Sequence, residues 1–305
     1  MDEPAQVVGM QKGILASVAA SGIFACMYFL SPALAPLQGQ EVFGWRIVLT
    51  IPLTTALLWL RHEWPAVRAL WQRVCRQPLL VPLLLLSAFL LGIQLWLFLW
   101  APLNGRALPV ALGYFLLPLA MVLTGRLVYG ERLSRAQCWA TALAALGVAW
   151  EFGRTASFSW EMAVVSLGYP VYFVLRRRLG TANLAGHWLD VVLMVPVACW
   201  FVWQGPPVAE LFGAHPRLYA LLPLLGLLSA VSLALYMVAH RLLPLGLFGL
   251  LSYVEPVLLV VVALLLGERV QAAQWPTYGL IFAAVACLML EGVVQVRQQM
   301  RTGRI

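Results

Sequence analysis

Apolar residues in this chain gather into long runs that only short polar stretches interrupt. Ten runs can be traced, the first five at roughly 13–34, 42–60, 79–101, 108–128 and 136–152. The second five lie at roughly 159–175, 187–203, 217–239, 245–266 and 274–292. Most hold the ~20 residues a helix needs to cross a bilayer, and the shorter ones would cross with little tilt or behind neighbouring helices. The pattern predicts an all-α integral membrane protein of ten transmembrane helices.

Two of the runs are copies of each other. Leu251–Arg269 reads LSYVEPVLLVVVALLLGER, broken near its middle by Glu255-Pro256 and closed by Gly267-Glu268-Arg269. Leu112–Arg132 reads LGYFLLPLAMVLTGRLVYGER, so that Tyr114 answers Tyr253, Pro118 answers Pro256, and the Gly-Glu-Arg ending recurs. A glutamine follows each copy, Gln137 and Gln274, ahead of one more apolar run. Tyr28-Phe29 likewise matches Tyr172-Phe173, and Ser87-Ala88 with Pro102 matches Ser229-Ala230 with Pro244. A repeat near half the chain length implies duplication, with units at 1–154 and 155–305. Five spans per unit is an odd number, so the second copy enters the membrane upside down. This is the inverted-repeat plan of secondary transporters.

Composition agrees with a membrane chain: 62% of residues are hydrophobic and only 10% are charged. The basic excess could point to nucleic acid, but the arginines sit in short clusters between apolar runs, where they orient helices. With the N-terminus inside, fifteen of the 20 basic residues fall on cytoplasmic segments, and five, Arg46, Arg106, Arg154, Arg217 and Arg269, fall opposite. That bias sets both termini in the cytoplasm of a multi-pass inner-membrane protein. Ala33-Leu34-Ala35 imitates a signal cleavage site, yet Asp2 and Glu3 precede the run and Pro36 would follow the cut, so the first span is read as retained. The five cysteines and four histidines do not cluster, so no metal and no cofactor are expected. No Gly-rich phosphate loop with a following lysine appears, which sets ATP aside as energy source.

Glu255 is the sharpest chemical candidate. It lies near the middle of the ninth run, where a charge costs about 2.5–3.5 kcal/mol on insertion scales. The following VLLVVVALLL returns roughly 3–6 kcal/mol, so the helix still inserts. Pro256 cannot donate to the carbonyl of Ser252, and Pro118 likewise frees that of Tyr114. Such backbone is tolerated at membrane depth where it lines protein or a wet cavity, so both prolines are expected to kink their helices toward one. The position matching Glu255 in the first copy is Leu117, as expected of a residue that serves function rather than repeat architecture. Gln94, Trp96, Tyr28, Tyr114, Tyr172, Tyr236 and Tyr253 add polar-tipped side chains on matched spans and complete an expected substrate-binding cavity.

Glu131 and Glu268 each follow a helix-ending glycine and precede a new helix, where a carboxylate steadies the N-terminus. Arg46 lies one turn inside the second span and is expected to snorkel outward. Asp190, with His187 one turn before it, is expected to make a structural or gating contact at the cytoplasmic edge.

The tandem of a Pro-interrupted helix ending in GER, once per five spans, resembles the EamA-type transporters of the drug/metabolite transporter superfamily. Within it, FLWAPLNGRALPVALGYFLLPLAMVLTGRLVYGERLSRAQ resembles the RarD-like branch. The resemblance covers essentially the whole chain. It implies a ten-helix inverted-repeat carrier whose cavity is formed mainly by the first, third and fourth helices of each half. The family's Glu-Pro step is present as Glu255-Pro256 and absent at Leu117. The family's cargoes include amino acids, amino-acid-derived opine metallophores, sugars and drugs, and the RarD name is linked to chloramphenicol sensitivity.

The expected function is therefore secondary active export of a small zwitterionic metabolite, an amino acid or an opine-type metallophore, driven by its own gradient or by protons. A chloramphenicol-like drug or a sugar is the alternative cargo. An intramembrane prenyltransferase would want clustered aspartates, and only Asp2 and Asp190 exist. A zinc protease would want paired histidines. A channel or a membrane sensor is the third class, and a sensor would want an appended signalling domain. The expected partners are thus the lipid bilayer and a small molecule, and the chain is not expected to be an enzyme.

Overall fold

The computed structural model describes residues 3–130, 133–155, 159–243, 248 and 251–301. Among them the chain is helical throughout, with no strand. The helices are α1 (Glu3–Leu30), α2 (Gly39–Leu60), α3 (Trp64–Arg76), α4 (Leu80–Leu103), α5 (Ala107–Tyr129) and α6 (Arg135–Thr155). They continue as α7 (Trp160–Leu179), α8 (Leu184–Gln204), α9 (Val208–Ala214), α10 (Leu218–Leu242), α11 (Val254–Leu265) and α12 (Trp275–Arg301).

Helix boundaries follow local chemistry. Gln38 opens α2, its N–H donating to Glu41 Oε2 at 2.8 Å. Asn183 caps α8 by accepting from the Gly186 N–H at 2.8 Å. α5 ends at Gly130, whose φ of 69° is the left-handed cap that glycine adopts without strain. The glutamine that follows each motif copy is a capping device. Ser134 N donates to Gln137 Oε1 while Gln137 N donates to Ser134 Oγ, both at 3.0 Å. In the second copy Gln271 N donates to Gln274 Oε1, again at 3.0 Å.

Seven helices among the described residues are long and apolar enough to cross a membrane: Gly9–Leu34, Gly39–Leu60, Leu80–Leu103, Ala107–Tyr129, Leu184–Gln204, Leu218–His240 and Ala272–Glu291. The other three predicted runs fall on α6, α7 and α11. α6 and α7 have spanning length but carry more charge, including Glu151 on α6 and Glu161 with Arg176, Arg177 and Arg178 on α7. α11 has only 12 residues, or ~18 Å of helix. Many of the leucines and aromatic rings on these helices are exposed, Phe89 at 64% and Leu127 at 75% among them, as lipid-facing side chains are.

The chain divides into two compact units, each drawing on both sequence halves. Unit 1 comprises Met1–Cys26, Arg106–Pro170 and Ser232–Ile305. Its α5 packs on α6, α11 and α12, and α6 packs on α12. Phe115 meets Phe282 edge-on at 5.0 Å. At Gly113 the α5 backbone comes so close to α7 that a Cβ would sit 2.7 Å from Val165 Cβ. Unit 2 comprises Met27–Gly105 and Val171–Val231. There α2, α4 and α8 pack together and α3 lies on α8. At Gly44 an added Cβ would lie 2.6 Å from the Ala198 carbonyl, so α2 and α8 meet backbone to backbone.

Candidate functional site: a carboxylate among tyrosines

The ninth run breaks where its sequence changes character. Ser252 and Tyr253 form a turn, and α11 restarts at Val254. Pro256 is then the third residue of the new helix, where its missing N–H removes no intrahelical bond. Pro118, its counterpart, lies inside a continuous α5. The break puts Glu255 in the first turn of α11, beside the positive end of a helix dipole.

Glu255 is half-buried, and among the described residues it accepts no hydrogen bond and forms no ion pair. A chain of tyrosines in unit 1 leads away from it. Tyr236 on α10 is in electrostatic reach of both Glu255 and Tyr169. Tyr169 on α7 and Tyr114 on α5 share a hydroxyl–hydroxyl hydrogen bond of 3.3 Å, with ring centroids 5.9 Å apart. Phe248 meets Tyr236 edge-on at 4.9 Å and His240 at 5.1 Å. Tyr253 is buried at the turn that starts α11. A carboxylate in reach of a tyrosine that leads on to further aromatic rings is suited chemically to an ammonium group, through charge, hydrogen bonds and cation–π attraction.

One end of the unit 1 helices is tied by two other carboxylates. Glu268 accepts from Ala107 N at 2.5 Å and Leu108 N at 2.8 Å, satisfying the orphan donors at the start of α5. The sequence gives Glu268 the N-terminus of the next helix along the chain; it serves a helix 160 residues earlier instead. Beside it Arg106 donates to Glu161 Oε1 at 2.6 Å, and Ser159 donates to Glu161 Oε2 at 2.6 Å. The Glu161 hydrogen bond holds the Arg106 guanidinium above its ordinary range. Glu131, the other motif carboxylate, lies outside the described residues.

Unit 2 holds the remaining predicted residues in two different settings. Tyr172 and Asp190 join a clasp between α7 and α8 that centres on Arg176. Arg176 Nη1 donates to Asp190 Oδ2 at 2.8 Å and to the Tyr172 hydroxyl, which itself donates to Asp190 at 3.1 Å. Arg176 Nη2 donates to the carbonyls of Thr181 and Asn183. All three side chains are buried. Arg176 is one of three consecutive arginines at the end of α7, a run that reads as topology-setting charge, and its pairing with Asp190 has no precursor in that pattern.

Arg46 does not snorkel outward. It is 4% exposed, donates through Nε to Ser229 Oγ at 3.0 Å and through Nη1 to the Leu95 carbonyl at 3.3 Å, and lies over the Phe98 ring. Those internal acceptors replace the water that snorkelling would reach. Tyr28, fully buried, stacks near Phe98 at 5.0 Å. Gln94 is buried on α4, and half-buried Trp96 stacks with Trp100 at 5.3 Å. The predicted residues thus separate into Glu255, Tyr114, Tyr236 and Tyr253 in unit 1, and Tyr28, Gln94, Trp96, Tyr172, Arg46 and Asp190 in unit 2. Sequence reasoning missed Tyr169, although it lies one helical turn before Tyr172.

No protein-family model matches the chain. An uncharacterized transporter of Pasteurella multocida is 41% identical, aligned over 95% of this chain and 99% of its own. The chloramphenicol-sensitive protein RarD of Pseudomonas aeruginosa is 43% identical, over 96% of this chain and 98% of its own. Protein RarD of Streptomyces exfoliatus is 28% identical over 94% of this chain. A solved crystal structure of a protein 19% identical in sequence superposes with a TM-score of 0.54, covering 92% of this chain and 96% of that one, a likeness of fold alone. With spanning helices of the right length and whole-length identity at this level, the chain belongs to the RarD family of membrane transporters.

Proposed function

We propose that the protein is a secondary exporter of the inner membrane, an EamA-type carrier of the drug/metabolite superfamily whose cargo is a small zwitterionic, amino-acid-derived metabolite. The observation that carries this reading is Glu255, a carboxylate with no hydrogen bond or ion pair among the described residues, in electrostatic reach of Tyr236, which leads on to Tyr169 and Tyr114. It offers an ammonium a counter-charge, while the hydroxyls and rings favour a partly apolar body. An amino acid or an opine-type metallophore has that chemistry. The name of the Pseudomonas relative makes a chloramphenicol-like drug the second reading.

Ten spans in two inverted five-helix repeats, 1–154 and 155–305, with both termini cytoplasmic, complete the proposal. Contacts within each unit support the grouping of loops by side. The arginine pattern assigns Arg106, Ser159 and Glu268 to one membrane face, and in unit 1 these neighbourhoods bond to one another. It assigns Arg73 and Leu179 to the opposite face, and in unit 2 Arg73 donates to the Leu179 carbonyl at 2.7 Å. A fluorescent protein fused after Ile305 should be bright, and strong activity of an alkaline phosphatase fused there would overturn the orientation.

The cargo test compares metabolites in medium and cells with and without the gene, then repeats the comparison with Glu255→Gln. Gln is nearly isosteric and cheaper to insert, so the variant should reach the membrane in wild-type amount yet leave the cargo inside. If protons drive export through Glu255, the variant should lose net efflux but keep pH-insensitive exchange of labelled cargo. If Glu255 only binds the ammonium, both assays fail. Wild-type transport across the pH range would remove Glu255 from the mechanism.

A further inference from the structure

The helix that the transport reading leaves unused is α3. Its sequence, WPAVRALWQRVCR, sorts cleanly at 100° per residue. Trp64, Val67, Leu70, Trp71 and Val74 fall on one arc, and Arg68, Arg76 and Arg73 on the other. None of its side chains is fully buried. Part of the apolar arc is docked, since Trp64 meets the Trp188 ring edge-on at 5.6 Å. Arg73 holds the far end by donating to the Leu179 carbonyl. That leaves Trp71 at 65% exposure and, just beyond the helix, Leu79 at 83%. Arg68 and Arg76 are exposed, as is Arg178, one residue before the carbonyl that Arg73 grips.

An exposed apolar edge bordered by cations, next to membrane-spanning helices, has the chemistry of the headgroup layer. Indole is at home at that depth, and guanidinium pairs with phosphate in a fork. Asp and Glu are absent from α3 itself, and Glu63 at its N-cap sets one carboxylate against three arginines. We propose that α3, with the Arg178 end of α7, is a binding surface for anionic phospholipid headgroups, with Trp71 and Leu79 in the acyl boundary and Arg68, Arg76 and Arg178 on the phosphates.

The test uses the full chain purified in neutral detergent. Phosphatidylglycerol, phosphatidylcholine or inorganic phosphate is added, and retained lipid is counted by native mass spectrometry beside the melting temperature. Phosphatidylglycerol should be retained and raise the melting temperature, while phosphatidylcholine and inorganic phosphate should do neither. A basic residue near an anionic surface strengthens attachment about fivefold, so Arg68→Gln with Arg76→Gln should weaken retention about 25-fold. Its melting temperature in phosphatidylcholine should match wild type, because neither arginine is buried. Equal retention of both lipids by the wild type would reduce α3 to an apolar float and overturn the proposal. An equal response to inorganic phosphate would make it a free-anion site, and wild-type retention by the double variant would overturn it outright. Should that variant fail to fold, wild-type protein at molar salt decides, where screening reaches ~3 Å. Retention that survives such salt overturns the proposal, and retention that collapses supports it.

Discussion

Asp190 and Glu255 are both carboxylates on helices of a membrane protein, and their surroundings could hardly differ more. Asp190 in unit 2 is 1% exposed and answered at Oδ2 by both Arg176 and Tyr172. Glu255 in unit 1 is half-buried and has no described partner. A carboxylate held away from water needs compensation, and Asp190 has it permanently. Glu255 is left with a helix N-terminus and Tyr236 in electrostatic reach. The contrast separates a charge tied into the fold from the one that the proposed function assigns to a solute, and each half of it can be tested.

The largest effect should come from Asp190→Asn. It strands the buried Arg176 guanidinium, and breaking one side of a buried pair costs about 3–5 kcal/mol. Reduced yield and a much lower melting temperature in mild detergent are expected. The joint change Arg176→Met with Asp190→Leu should recover most of the loss, because no uncompensated charge remains. A neutral Asp190→Asn would show that the clasp is dispensable.

A smaller loss is expected for Glu268→Gln, whose amide cannot serve both Ala107 N and Leu108 N as a charged acceptor. Hydrogen bonds to charged groups contribute about 1.5–3 kcal/mol, so a measurable drop in melting temperature should follow, with faster proteolysis near Arg106. The smallest stability change belongs to Glu255→Gln, which breaks no described bond. Its melting temperature should hold or rise while export disappears. A large stability loss there would erase the contrast with Asp190.

Much of this was legible in the chain. The helix ends at Gly130 and the capping pairs around Gln137 and Gln274 are local devices, written within four residues. Glu255 stood out because insertion penalises it and Leu117 shows that the repeat does not require it. Long-range partners were not legible. Arg46 finds Ser229 at a separation of 183 residues, and no local pattern encodes that bond. Arg176 reads as one of three consecutive topology charges, and only the return of α8 supplies Asp190. Tyr169 was hidden by its neighbour Tyr172, which has the repeat match but turns to Asp190.

The backbone contacts at Gly44 and Gly113 bear on how the chain can vary. A methyl added at either position would land on a carbonyl oxygen or a valine Cβ inside ordinary contact distance. In a random-substitution library selected for folded, active protein, those two codons should stay fixed. The lipid-facing leucines Leu85 and Leu86 should meanwhile scatter among other apolar residues. The record of selection would then be dense at positions with no side chain at all.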